Sequence, residues 1–146
     1  MRISQGEVFV FRKDLQKLAE LRIKEAQDLL ARKHPSGSYY LAGFSIECAL
    51  KAVIARNFKA NQIPDKKFVQ QIYEGHDFKK LLSLANLKEL EHGIDNNVRV
   101  GVNWATVCKW KVESRYEIKR LDEAKALLLA IQDPSDGILI WIKRFW

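Results

Sequence analysis

A chain of 146 residues, 47% hydrophobic and 29% charged, is long enough to bury a core in one domain (1–146), and its composition excludes a disordered protein. The formal net charge of +7 admits an anionic partner such as nucleic acid, nucleotide or an acidic protein surface. Its basic residues are scattered pairs, Lys66-Lys67, Lys79-Lys80 and Lys143-Arg144 among them, as on solvated helix faces. The most apolar windows, 39–55 and 121–146, both contain charges and the second contains Pro134, so neither reads as a membrane span. With no secretory segment at the start, a cytoplasmic protein with no membrane partner is expected. Cys48 and Cys108 stand far apart in apolar surroundings and read as buried free thiols.

Residues 1–12 alternate weakly and read as extended. Asp14 is expected to cap a first helix that continues to about Lys33, with Leu15, Leu18, Ala26 and Leu29 inward and Lys13, Lys17, Glu20, Lys24 and Asp28 outward. His34-Pro35-Ser36-Gly37 stops that helix, and Ser36 or Ser38 can cap the next. So short a connection makes the two helices antiparallel neighbours.

The second helix, 38–58, organises the chain. Tyr39, Gly43, Ile46, Leu50 and Val53 form one apolar row, and Tyr40, Phe44, Ile54 and Phe58 form another. Ala42, Ser45, Ala49 and Ala52 make a narrow third row that lets a neighbour approach closely. A helix apolar nearly all round belongs inside a bundle. Only Glu47 and Lys51 interrupt the apolar surface before Arg56. They stand four apart with the acid first, the favourable order for an ion pair.

Residues 59–75 read as a long connection with a short helix near 67–73. Asp77 then caps a helix whose Phe78, Leu81, Leu82 and Ala85 face inward. Residues 88–99 suit a further helix weakened by Gly93. Between 98 and 110, β-branched residues and Gly101 compete with helix, and loop or irregular helix is expected. A last helix starts between Tyr116 and Lys119. Its apolar positions, from Leu121 through Leu128, Ile131 and Ile138 to Phe145, keep phase across Pro134. That phase favours one long helix kinked near Pro134 over a break at Gln132 with Asp133 capping a new helix. The fold class is all-α, an up-and-down antiparallel bundle of four to five helices.

The helix pair with GFSIECALKAVI on its second member resembles the HEPN domain family, whose second helix carries a Glu-x-x-x-Lys core, here Glu47 and Lys51. The segment around Ala26, Leu29 and Leu30 agrees with it. So do His76-Asp77 opening a helix with Leu81 and Leu82, and Arg115-Tyr116 ahead of an alanine-containing final helix. The resemblance implies a helical bundle that is often dimeric, and hence a homodimer. Many members are metal-independent ribonucleases with an arginine and a histidine four to six residues apart on one helix. That spacing puts a general acid or base beside a phosphate-binding guanidinium. Neither Arg56, Arg99 nor Arg115 has a histidine at that distance, and Arg32 is too close to His34. Other relatives bind nucleotides or partner minimal nucleotidyltransferases, roles that do not need the motif.

The reading is therefore a non-catalytic HEPN-like module that binds a nucleotide, RNA or a partner nucleotidyltransferase, with no cofactor. Its groove would lie near Glu47, Lys51, His76, Arg115 and Tyr116. Glu47 would accept from Arg115, Tyr116 or a ligand hydroxyl, or else simply pair with Lys51. His76, at a helix start, suits an anion, unless Asp77 satisfies the free N–H groups there. Residues 104–120 interleave Trp104, Trp110 and Tyr116 with Lys109, Lys111, Arg115, Lys119 and Arg120. This is the composition of a stacking and phosphate-binding surface, although tryptophans also fill cores. The rival reading is a ribonuclease toxin with a rearranged site. There Arg99 or Arg115 would hold phosphate and His76 or His92 would act as base. Three histidines and two cysteines without ligand spacing give a metal no site.

Overall fold

Alanine, serine and glycine positions decide how the helices meet. In a computed structural model, which describes residues 2–4 and 7–146 with side chains from residue 10 onward, the fold is helical. Helix α1 (Arg12–Ala31) and helix α2 (Pro35–Arg56) form its frame. Ser38 Oγ donates to the Ala26 carbonyl at 2.7 Å, and Ser45 Oγ donates to the Ala19 carbonyl at 2.6 Å. As α2 advances, its partners on α1 recede, so the pair is antiparallel. Ala42, Ser45, Ala49 and Ala52 are all fully buried, as are Ala19 and Ala26 opposite. Small side chains let the backbones approach until hydroxyls reach carbonyls across the interface, satisfying buried polar groups as they do so.

The expected caps of both helices are not used. Helix α1 starts at Arg12 with Phe11 before it, which places Asp14 inside the first turn. Helix α2 starts with Pro35, whose missing N–H costs nothing in a first turn. Ser38 is spent on α1, and Ser36 Oγ instead accepts the Lys119 N–H at 2.9 Å.

The connection that follows contains α3 (Lys66–Glu74), close to the expected short helix, and Asp65 caps it by accepting the Phe68 N–H at 3.0 Å. Asp77 likewise accepts from the Lys80 N–H at 3.0 Å and starts α4 (Phe78–Ala85), whose Phe78, Leu81, Leu82 and Ala85 are all buried as expected. Helix α5 (Lys88–Asn96) ends before Asn97. A loop or irregular helix was the expectation for 98–110, yet α6 (Val98–Val107) is a regular helix. Asn97 Oδ1 accepts from the Arg99 and Val100 N–H groups and supplies the start that propensity did not. Val100, Trp104 and Val107 are buried there, so packing outweighs the poor intrinsic preference of β-branched residues and Gly101.

After a 3₁₀ turn (Val112–Tyr116), α7 runs Leu121–Gln132 and α8 runs Ile138–Lys143. The expected single kinked helix is thus two helices separated by a turn. Nor does the new helix begin at Pro134. Asp133 Oδ1 accepts from the Ser135 and Asp136 N–H groups, and the Gly137 N–H closes the turn on the Asp133 carbonyl at 3.0 Å. Helix α6 pins that turn: Asn103 Nδ2 donates to the Asp136 carbonyl, Asn97 Nδ2 to the Asp136 carboxylate, and Arg99 pairs with Asp133. Ala124, Leu128, Ile131, Ile138 and Ile142 are buried on both sides of the break, which explains the unbroken sequence phase.

Among the described residues there are eight α-helices, most of them short, where four to five were expected. A two-stranded antiparallel ribbon of β1 (Arg2–Ser4) and β2 (Glu7–Phe9) precedes them, in keeping with an extended start. No described helix is long and apolar enough to cross a membrane.

Candidate functional site

The apolar surround of α2 makes its two charged residues the natural place to build from. Glu47 is only 3% exposed, and a buried carboxylate must be paired. Lys51 Nζ donates to Glu47 Oε1 at 2.9 Å, the expected pair. A second partner comes from the α3–α4 connection: His76 Nδ1 lies 3.1 Å from each Glu47 oxygen. The carboxylate therefore joins the centre of the bundle to the residue just before the Asp77 cap. No hydrogen bond engages His76 Nε2 among the described residues, and 42% of the side chain is exposed.

Arg115 and Tyr116, expected in the same groove, do not join the Glu47 constellation. The Arg115 guanidinium lies over the Tyr116 ring at 4.9 Å, and Tyr116 is largely exposed. No hydrogen bond, ion pair or ring contact joins either to Glu47, Lys51 or His76 among the described residues. The carboxylate accepts from Lys51 and His76 rather than from that pair. Asp77 satisfies the start of α4 with its own side chain, so the helix start by itself leaves His76 no anion role.

The aromatic members of 104–120 divide. Trp104 and Trp110 are core residues. Trp110 stacks on Phe78 at 5.1 Å and on Tyr40 at 5.9 Å, and Tyr40 stacks on Phe44 in turn. Lys119 pairs with Glu117 and lies over the Tyr39 ring, while Arg120 pairs with Asp122. The stretch is therefore no continuous stacking surface. The rival site is not assembled either: Arg99 pairs with Asp133 and Asp136, and His92 Nδ1 is 3.1 Å from Asn96 Nδ2.

Two hollows flank the Glu47 constellation and share no lining residue. One, of about 540 Å³, contains His76, Lys79, Lys80, Trp110 and Lys111. Its acids are Asp77, committed to the α4 cap, Glu74, which accepts from Gln70, and Glu113. No ion pair engages Lys79, Lys80 or Lys111 among the described residues. The other hollow, of about 380 Å³, lies between α1, α2 and α3 with an almost wholly apolar wall that includes Phe44, Ile54, Phe58 and Ile72. Lys51 and Glu47 are its charged members among the described residues.

The lysines of the first hollow were visible in sequence only as scattered pairs. A signal for the second existed in the four-residue spacing of Phe68 and Ile72 and of Val69 and Tyr73 on α3. Both thiols stay protonated at neutral pH: burial pushes Cys48 up to about 12 and the half-buried Cys108 up to about 11. Among the described residues, no group of three or more His, Cys, Asp or Glu side chains could hold a metal ion. No family model matches the chain, and comparisons with curated proteins and with solved structures find no match either.

Proposed function

We propose that this chain is a non-catalytic, HEPN-like binding module that takes a nucleotide or short RNA in the lysine-lined hollow beside His76. The observation that carries this reading is His76 itself, fixed by the buried Glu47 at the edge of a hollow with three unpaired lysines. Ammonium groups free of protein carboxylates are available to phosphate, and an imidazole whose Nδ1 donates to Glu47 offers Nε2 as an acceptor to a ribose hydroxyl. Fluorescence anisotropy with a labelled single-stranded RNA and a labelled adenine nucleotide tests it. Binding should weaken at least tenfold in a Lys79→Glu/Lys111→Glu double variant and fall with added salt. Equal binding by that variant refutes the reading. A homodimer and a minimal nucleotidyltransferase partner follow from the resemblance alone, and sedimentation with and without such a partner tests both.

One observation favours the ribonuclease alternative. A carboxylate on Nδ1 and an unengaged Nε2 is the arrangement of an oriented general base. In that chemistry Nε2 takes the 2′-hydroxyl proton, the 2′-oxygen attacks phosphorus, and the bond to the 5′-oxygen breaks as that oxygen takes a proton from water. Lysines, not Arg99 or Arg115, would hold the phosphate. Cleavage of RNA in chelator that His76→Ala abolishes establishes this alternative. RNA recovered intact retires it.

A further inference from the structure

The apolar hollow between α1, α2 and α3 has chemistry of its own. At about 380 Å³ it falls within the range of small-molecule sites, about 300–1,000 Å³. Its floor is α2, with Phe44, Ile54 and Ala55, and Phe58 follows just beyond the end of that helix. Its outer wall is α3, which has no buried residue although Val69, Ile72 and Tyr73 line the hollow. Val69 and Ile72 are half-buried and Tyr73 is exposed, so burial of this wall is incomplete.

Among the described residues, the charged groups lining this space are Glu47 and Lys51. Glu47 accepts from Lys51 and His76, and with its side chain only 4% exposed little of it is left to a ligand. The Lys51 ammonium has three donors and, among the described residues, uses one on Glu47, which leaves two. Its side chain is 15% exposed. A mostly apolar space with unspent, charged donors is complementary to an apolar body ending in a strong acceptor. A cation would meet Lys51 and find the carboxylate already shared.

We infer that the hollow is a second binding site, independent of the lysine-lined one, for a small apolar monoanion such as an aliphatic or aromatic carboxylate. Its body lies against Phe44, Phe58 and Ile72, and its head accepts from Lys51. The α3 segment is the wall that gains packing when the site fills, so occupancy also orders α3 against α2.

The test titrates two fluorescent probes against the full chain. One is 8-anilinonaphthalene-1-sulfonate, an apolar body with one anionic head. The other is N-phenyl-1-naphthylamine, the same body without the head. Both should saturate at one probe per chain, with the sulfonate bound about tenfold more tightly through its charge-assisted hydrogen bonds. Lys51→Gln keeps a donor toward Glu47 but removes the charge. It should bring the sulfonate to parity with the amine and leave the amine unchanged. Ala55→Phe, which fills the hollow, should abolish both. The inference is overturned if the wild type binds the two equally, if binding does not saturate, or if Ala55→Phe leaves it intact. Should Lys51→Gln not fold, the wild-type ratio and Ala55→Phe still decide. Neither probe carries a base or phosphate, and Lys79→Glu/Lys111→Glu should leave both unaffected, so this site and the nucleotide reading fail separately.

Discussion

Gly43→Ala sets two physical effects against each other, and the structure decides their sign. In an exposed helix interior the change stabilises by about 0.8–1.0 kcal/mol. At this position a Cβ would lie 2.2 Å from Cδ1 and Nε1 of Trp110, where carbon contacts settle at about 3.5–4.0 Å. Trp110 would have to retreat by more than 1 Å, roughly the difference between those distances. It has no easy direction in which to go, being 3% exposed and stacked on Phe78 at 5.1 Å and Tyr40 at 5.9 Å. Overpacking of this kind costs about 1–3 kcal/mol and at times more. With so confined a ring the upper end applies, and after the helix gain the net loss is about 2 kcal/mol. Urea unfolding followed by circular dichroism should show a midpoint lowered by about 1 M at an ordinary slope. Adding Trp110→Leu removes the ring, so the double variant should lose less than the sum of the single changes. A Gly43→Ala protein as stable as the wild type, or more so, would refute the close approach of α2 to Trp110.

Lys51→Met leaves the buried Glu47 with His76 as its one remaining partner and should cost about 3 kcal/mol in the same unfolding assay. The two aspartate caps should behave differently. Asp77→Ala removes a cap from a helix with four core residues and should cost about 1 kcal/mol globally. Asp65→Ala caps a helix with none buried, so it should raise hydrogen exchange within 66–74 without moving the unfolding midpoint. The thiols give a pH dependence with a definite sign. Their ordinary value is 9.0 and burial raises both, so the unfolded chain ionises first. Their contribution is complete below about pH 9 and declines as pH rises toward 11–12, by at most about 1.4 kcal/mol per pH unit for each thiol. Cys48→Ala should flatten that alkaline decline relative to wild type; an unchanged slope would show that Cys48 is not buried as described.

Helix α2 was legible because its pattern is redundant. Three apolar rows and a single Glu-Lys interruption point to a central helix, and the small-residue row correctly foretold its close neighbour. Asp77 was legible as a helix-start signal because a cap is a contact spanning only three residues; Asp65 makes the same contact but was not read from the sequence. Two misreadings come from partners distant in the chain: the turn at Asp133 held by Asn103 and Arg99, and Ser38 reaching Ala26. The Asn97 cap of α6 is local and was passed over because β-branched residues and Gly101 argued against a helix there. The candidate site divided along the same line. Glu47 with Lys51 is an i,i+4 pair and was visible. His76 joining them depends on how the α3–α4 connection crosses α2, and Arg115-Tyr116 missed them for the same reason.

Sequence alone thus determined that α2 is central, that α1 lies antiparallel beside it, and that the helices expose charge and bury aliphatic rows. Periodicity and capping are local, and these properties follow from them. Tertiary structure decided that Trp110 is core rather than a stacking platform, that Pro134 lies in a turn rather than a kink, and that Glu47 turns to His76. It also left an apolar hollow beside Lys51. Those outcomes depend on which surfaces meet, and a buried charge takes whatever partner the meeting surfaces bring within reach.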